Sequence, residues 1–183
     1  IPLIRDENGA WSFDTAAGIE VIIDRRVGRN EASAVAILSA YVDAQIEYAL
    51  VDRDGDDYLE YAQRLASSPG QKDGLYWEAE EGEQESPFGP LAQGAERYLD
   101  TVAPGDPIRG YYFKVLTRQG ANAPGGSQQY VIGGHMIHGF ALVAFPADYG
   151  NSGVMTFVVN HRGVIQQKDI GAFSGMDAYD PDA

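Results

Sequence analysis

The order of two periodicities along the chain constrains its fold more than any other feature of the sequence. Up to residue 70, apolar residues recur at the spacing of amphipathic helices, most clearly at Val35, Leu38, Val42 and Ile46. From Gly110 onward, short runs rich in β-branched and aromatic side chains are typical of strands. Helices followed by strands predict an α+β fold, with an N-terminal hairpin and helices packed on one face of a C-terminal antiparallel meander sheet.

The first elements are predicted from turn and capping residues. Residues 1–13 contain two short apolar runs around Asn8-Gly9, a pair that supplies the positive φ angles of a tight hairpin turn. Asp14 or Thr15 is suited to cap a helix that ends at Gly28, because glycine favours the left-handed position after a helix. A second helix is then predicted from residue 30 to about residue 49.

The rest of the chain is predicted to hold one more long helix, a loop-rich connection and five strands. Asp57 and Glu60 have the spacing of a capping box, which predicts a third helix up to residues 68–70. Residues 71–109 are acidic and rich in proline, so we expect loops with at most a short helix at 91–100. The strands are expected at 111–117, 128–132, 136–145, 154–160 and 164–168, with tight turns that include Gly133-Gly134.

Length favours one domain. A chain of 183 residues is expected to form one core. We therefore expect a single globular domain over 1–183, made of a hairpin and helical part, an acidic connection, a sheet and a loose tail at 1–70, 71–109, 110–171 and 172–183.

Charge and composition narrow the classes of partner. The formal net charge of −14 repels nucleic acid phosphates and anionic lipid headgroups, so we expect cations or basic protein surfaces instead. No apolar stretch approaches the ~20 residues of a membrane span, so we expect no direct membrane insertion by this segment. The absence of Cys excludes disulfides and thiolate chemistry. Because the chain begins at Ile1, we expect a processed or truncated product.

Residues 52–60, which we name the acidic loop, give the clearest indication of chemistry. Asp52, Asp54 and Asp56 stand at alternate positions, from which their carboxylates can converge on one hard cation. The backbone carbonyl of Tyr58 and the side chain of Glu60 would complete the ligand set. Calcium takes oxygen ligands of this kind, so the sequence predicts a calcium site in the acidic loop.

The acidic loop departs from an EF-hand at two positions. Where an EF-hand has Gly at loop position 6 and a bidentate Glu at position 12, this chain has Asp57 and Gln63. A calcium site here would be looser than an EF-hand or completed by a distant residue. The alternative is an exposed turn with a helix cap, in which Asp57 binds backbone N–H groups and the other carboxylates are solvated.

The three histidines do not form a predicted metal site. His135 and His138 are three positions apart, a spacing that puts their side chains on opposite faces of the predicted strand. A shared zinc ion would require a bulge between them. Together with His161, they are expected to have structural or solvent-facing roles.

The sequence contains no recognisable catalytic motif, so it favours a non-enzymatic function. The chain has no G-x-S-x-G elbow, no HExxH pair and no phosphate-binding glycine loop. A hydrolase using surface carboxylates beside Trp77 is the enzymatic alternative, with Glu78, Glu80, Glu81, Glu83 and Glu85 as candidates for a glycosidase-like pair. A third class is recognition of sugars or peptides by exposed Tyr and Trp side chains.

Several stretches of the sequence resemble the DUF2950 family of uncharacterised exported bacterial proteins. The resemblance spans nearly the whole chain and rests on WSFDTAAG at 11–18, GRNE at 28–31, AYVDAQ at 40–45, DGLYW at 73–77, GYYF at 110–113 and residues 139–171. It implies an extracytoplasmic protein of the periplasm or cell envelope and no particular activity. Members of that family often have Gly where this chain has Asp57, which would bring their loop closer to a calcium loop.

A weaker likeness concerns the globular heads of pilin-like proteins. The order of a Tyr-containing helix, a Gly-Tyr-x-Phe strand and residues 146–165 is similar to those heads, some of which hold calcium in a loop. Residues and resemblance together favour an exported structural or interaction module, with an envelope protein or a second copy as its partner and calcium as its cofactor.

Overall fold

One long helix organises the fold. The computed structural model describes residues 2–53, 55–79, 82–89 and 106–172. Within them, α1 runs unbroken over Thr15–Tyr48, and the carboxylate of Asp14 caps it by accepting a hydrogen bond from the backbone N–H of Ala17 at 3.0 Å. The prediction of two helices separated at Gly28 is therefore wrong. A glycine inside a helix costs about 1 kcal/mol relative to Ala, and packing of the second half of α1 outweighs that penalty.

Gly28 offers a test of helix continuity. Gly28→Ala is expected to raise the free energy of unfolding by roughly 0.5–1 kcal/mol, because Ala loses less backbone entropy on folding. An added Cβ at Gly28 meets nothing within 4 Å, so no clash opposes this gain. Urea unfolding measures the difference. Gly55→Ala is the matched control, because Gly55 is equally open but has a φ of +78°, where Ala is strained. A loss of stability in both variants would contradict the continuous helix.

The two halves of α1 have different environments. The second half buries a face that includes Leu38, Tyr41 and Gln45. In the first half, Ile19 and Ile22 are largely exposed. The preceding hairpin, formed by antiparallel β1 (Leu3–Arg5) and β2 (Trp11–Phe13), is exposed along both strands. The predicted hairpin is thus confirmed, and the N-terminal part of the chain contributes little to the core.

An antiparallel sheet forms the other layer. After α1, the described strands are β3 (Tyr111–Leu116), β4 (Arg118–Gln119), β5 (Gln128–Gln129), β6 (Val131–Ile132), β7 (His135–Met136), β8 (Ala141–Pro146), β9 (Thr156–Asn160) and β10 (Gln166–Lys168). The main sheet has the order β10-β9-β8-β3, and all its pairs are antiparallel. α1 packs on β8 and β9, and β8, which lies between β3 and β9 in the sheet, is buried along its whole length. The α+β prediction is confirmed.

Two short ribbons interrupt the meander between β3 and β8. The β4–β5 ribbon and the β6–β7 ribbon each have two antiparallel strands outside the main sheet. The predicted strand at 136–145 is therefore divided into β7 and β8. Gly139 lies at the break with a φ of +134°, and a Cβ there would come within 2.7 Å of Nδ1 of His161. The predicted strand at 128–132 is likewise divided, at the buried Tyr130.

The prediction of a third helix after the acidic loop is wrong. Residues 57–65 are not helical, and Asp57 has a φ of +71°. The side-chain amide of Gln45 pairs with Ala62, donating to its carbonyl and accepting from its N–H, both at 2.8 Å. Tyr61 donates its N–H to the carbonyl of Met136 at 2.8 Å. These bonds use the backbone groups that a helix would need.

Two other predictions fall outside the described residues. The short helix at 91–100 lies entirely there, and so does the loose tail beyond residue 172. Across the ranges that the structure covers, no helix combines the length and the apolar character that a membrane crossing requires.

Candidate functional site

The side chain of Asp52 closes the acidic loop by accepting hydrogen bonds from backbone N–H groups of the loop. Its Oδ1 accepts a hydrogen bond from the N–H of Gly55 at 2.7 Å, and its Oδ2 accepts one from the N–H of Asp57 at 3.0 Å. Gly55 and Asp57 both have positive φ angles, of 78° and 71°. Asp therefore stands at position 52 because its short carboxylate can bridge the N–H groups of a tight turn.

Two carboxylates of the acidic loop converge on one imidazole. Oδ2 of Asp56 and Oε2 of Glu60 lie 3.2 Å and 3.4 Å from Nδ1 of His135. The ring of Tyr58 stacks on the same imidazole, with centroids 4.4 Å apart and an interplanar angle of 16°. The loop thus presents two acids and one aromatic ring to a single side chain from β7.

The β6–β7 ribbon holds this arrangement in place. His135 pairs with Ile132 across the ribbon. The N–H of Met136 donates to Oε2 of Glu60 at 3.1 Å, and Nε2 of Gln63 donates to the carbonyl of Gly134 at 2.6 Å. Segments about 75 residues apart in sequence are therefore joined by backbone and side-chain hydrogen bonds.

The predicted calcium ligands have different contacts in the structure. Asp56 and Glu60 come together, whereas both carboxylate oxygens of Asp52 accept bonds from the backbone of its own loop. Tyr58 contributes a stacked ring, and Asp54 lies outside the described residues. In the described ranges, no three metal-ligating side chains are grouped closely enough to hold an ion. Calcium binding stays a prediction.

His135 is the site residue that sequence reasoning did not identify. No local motif connects it with the acidic loop, because the contact depends on how the ribbon folds back over residues 58–63. His138 is not part of the arrangement; its carbonyl accepts a hydrogen bond from Nε2 of Gln128 at 2.7 Å. His161 lies edge-on to Tyr130 and Phe140, and burial and the charge of Arg162 lower its pKa.

The residues proposed for a glycosidase-like pair do not surround an open platform. Trp77 is buried, and one of its faces carries the guanidinium of Arg53, with Cζ 5.1 Å from the ring centroid. Glu78, Glu83 and Glu85 are exposed, and Glu80 and Glu81 fall outside the described residues.

Exposed apolar side chains lie near the two carboxylates in sequence or across the β6–β7 ribbon. Leu50, Tyr58 and Leu59 lie within or next to the acidic loop, and Ile132 is the strand partner of His135. We name Asp56, Tyr58, Leu59, Glu60 and Ile132 the acidic-apolar surface. It combines negative charge with exposed hydrophobic area, a composition suited to contact with a basic, partly apolar partner.

Comparison with known families gives one match. A family model described as "Protein of unknown function (DUF2950)" matches residues 1–183. No curated protein and no solved structure matches the chain, so the likeness to pilin-like heads gains no support.

Proposed function

Because the chain belongs to the DUF2950 family, whose description assigns no activity, we propose its function from its own surface: it is an interaction module of the bacterial cell envelope. The observation that carries this proposal is the convergence of Asp56 and Glu60 on His135, beside the exposed Tyr58, Leu59 and Ile132. Such a surface suits a protein partner with basic and apolar side chains, or a second copy that offers them.

The envelope location is also part of this proposal. It is supported by the resemblance to a family of exported bacterial proteins. Fractionation of the full-length protein in a bacterial host tests it, with recovery outside the cytoplasm expected. Recovery in the cytoplasm alone would contradict the location without affecting the interaction surface.

The interaction is tested by two matched surface variants. Leu59 and Val164 expose 61% and 62% of their surface, but only Leu59 belongs to the acidic-apolar surface. Leu59→Ser is expected to reduce retention of an envelope partner about tenfold, which is the effect of losing ~1.4 kcal/mol of contact energy. Val164→Ser should leave retention unchanged. Quantitative pull-down from envelope extracts, with size-exclusion chromatography for self-association, measures both.

The same two variants can contradict the role of the acidic-apolar surface. Equal retention of the partner by Leu59→Ser, Val164→Ser and the wild type would show that this surface does not bind it. Asp56→Lys reverses one charge of the surface and should weaken binding further in low salt, because like charges then face a basic partner.

We further propose that Ca²⁺ binds the acidic loop and stabilises it. Asp56 and Glu60 supply oxygen ligands that a hard cation prefers, and a third carboxylate is available in sequence at Asp54. A cation would also offset the repulsion between the carboxylates. The nitrogen of His135 is less suited to Ca²⁺, which favours oxygen ligands.

Thermal unfolding tests the calcium site. Ca²⁺ at about one hundred times its Kd is expected to add about 2.7 kcal/mol, raising Tm by roughly 5–10 °C. Asp56→Asn and Asp54→Ala are expected to abolish this gain. Asp6→Asn is the matched control, since Asp6 also closes an exposed turn by accepting bonds from the N–H groups of Asn8 and Ala10. An unchanged Tm in millimolar Ca²⁺ would contradict calcium binding by the acidic loop.

A further inference from the structure

We propose that a cleft beside the acidic loop binds a small carboxylate ligand through the guanidinium of Arg53. The cleft has a volume of about 490 Å³ and lies between the end of α1, residues 60–64 and residues 71–73. That volume is within the range of roughly 300–1,000 Å³ that small-molecule sites occupy. This site goes beyond the proposed protein interaction and does not depend on calcium.

The guanidinium of Arg53 lies over two aromatic rings, and two of its nitrogens have no hydrogen-bond partner among the described residues. Its Cζ lies 4.7 Å from the ring centroid of Tyr48 and 5.1 Å from that of Trp77. Its Nε and Nη2 are buried and have no hydrogen-bond partner in the structure described. These two nitrogens are on the same side of the guanidinium and form the fork that binds both oxygens of a carboxylate.

A buried donor pair without an acceptor calls for an explanation, because buried polar groups are nearly always paired. Burial lowers the pKa of Arg53, while Tyr48 and Glu47 act in the opposite direction. The guanidinium nevertheless keeps its charge, since its ordinary pKa is far above neutrality. A ligand carboxylate in the cleft would supply the missing acceptor.

Lys72 adds a second positive charge at the same ring. Its Nζ lies 5.5 Å from the centroid of Trp77, and its backbone carbonyl accepts a hydrogen bond from the hydroxyl of Tyr48 at 2.8 Å. Within the described ranges, neither Arg53 nor Lys72 has a carboxylate at ion-pair distance. Although the chain has a net charge of −14, no carboxylate of the described residues forms an ion pair with either of these two cations.

The acids that line the cleft already have partners. Asp73 accepts bonds from the N–H and hydroxyl of Ser68, at 2.7 Å and 2.9 Å, and pairs with Arg64 at 3.3 Å. Burial raises the pKa of Asp73, but the bonds from Ser68 and the charge of Arg64 outweigh it, so the pKa lies below its ordinary value. Glu60 faces Met136 and His135. Arg53 and Lys72 are therefore available to an incoming anion.

The composition of the cleft favours a carboxylate over a phosphate. Two anionic side chains, Glu60 and Asp73, line it, and they repel a doubly charged ligand more strongly than a singly charged one. Gln71 and Tyr61 also line it, and their side chains carry groups that can hydrogen-bond to an uncharged polar part of a ligand. We therefore assign a monocarboxylate joined to a polar, uncharged group.

Binding requires a local rearrangement that Trp77 reports. Because Nε and Nη2 are buried, the guanidinium must turn partly away from the rings to meet a ligand. Trp77 and Trp11 are the two tryptophans of the chain, and Trp11 lies in the distant hairpin. In a Trp11→Phe background, emission therefore comes from Trp77 alone.

The test compares matched charged and neutral probes at constant ionic strength. N-acetylglycine and glucuronate represent a peptide carboxyl terminus and a sugar acid, and N-acetylglycinamide and glucose are their neutral counterparts. At least one carboxylate is expected to change Trp77 emission saturably while its neutral counterpart does not. The tighter of the two carboxylates identifies the source of the ligand.

Substitutions distinguish the bidentate geometry of the Arg53 guanidinium from the positive charge of the cleft. Arg53→Lys keeps the charge but loses the bidentate geometry, so we expect about tenfold weaker binding. Lys72→Gln, which removes the second charge and leaves Arg53 in place, should weaken binding several-fold. Arg25→Lys, on the exposed face of α1, is the matched control and should bind like the parent. Circular dichroism confirms that each variant is folded.

Three results would overturn the assignment. They are an equal response to a carboxylate and its neutral counterpart, tighter binding of inorganic phosphate than of either carboxylate, or unchanged affinity in both Arg53→Lys and Lys72→Gln.

Discussion

Gln45→Leu is expected to lower the free energy of unfolding by about 3–5 kcal/mol, since each orphaned buried polar group costs roughly 1–3 kcal/mol. Gln45 is fully buried. Its amide accepts a hydrogen bond from the N–H of Ala62 and donates to the carbonyl of the same residue. It also donates to the hydroxyl of Tyr41 at 2.9 Å. Leu has a similar volume but satisfies none of these groups. Urea unfolding followed by circular dichroism measures the loss.

Gln63→Leu is the matched control for this effect. Gln63 is exposed, and its amide donates a hydrogen bond to the carbonyl of Gly134. Water can replace that bond, so the expected loss is below about 1 kcal/mol. Similar losses in both variants would contradict the structural role of Gln45. Hydrogen exchange should also show faster opening of residues 58–66 in Gln45→Leu, because the amide fixes that segment to α1.

Gly153→Ala is expected to destabilise the protein by roughly 2–4 kcal/mol, in the range seen for overpacking of buried sites. A Cβ at Gly153 would lie 2.5 Å from both Cε2 and Cζ of Tyr111. Tyr111 is fully buried and donates its hydroxyl to the carbonyl of Met155 at 2.9 Å, so its ring has little freedom to move aside. Thermal or urea unfolding measures the loss.

Gly150→Ala separates the clash from backbone strain. Gly150 has a φ of +77° and nothing within 4 Å of an added Cβ, so only the cost of a left-handed Ala is expected, about 1–2 kcal/mol. If Gly153→Ala costs no more than this control, the close packing of Tyr111 against Gly153 is not as described.

The sequence was sufficient to predict a hairpin and a helical region before the strands, and most strands of the main sheet. Runs rich in β-branched and aromatic residues predicted strands at 111–117 and 154–160, and β3 and β9 lie there. The hairpin turn was found at the right place, although Gly9 alone has a positive φ and Asp6 closes the turn through Asn8 and Ala10. These features depend on neighbouring residues, which is why local patterns identify them.

The two wrong helix predictions have the same cause: tertiary contacts outweigh the local conformational preference of the residues. Gly28 favours a helix end, but the packed second half of α1 keeps the helix continuous. Asp57 and Glu60 favour a new helix, but Glu60 instead accepts a bond from Met136 and Ala62 pairs with Gln45. Within the candidate site, Asp56 and Glu60 were identified from spacing, whereas His135 requires knowing that β7 folds over the acidic loop.

The uninterrupted helix also sets a distance. At 1.5 Å per residue, a helix as long as α1 measures about 50 Å from end to end. The N-terminal hairpin is attached at one end, at Asp14, and the acidic loop follows the other end, at Tyr48. The helix therefore keeps the N-terminal hairpin and the acidic loop at opposite ends of a rigid element, about 50 Å apart.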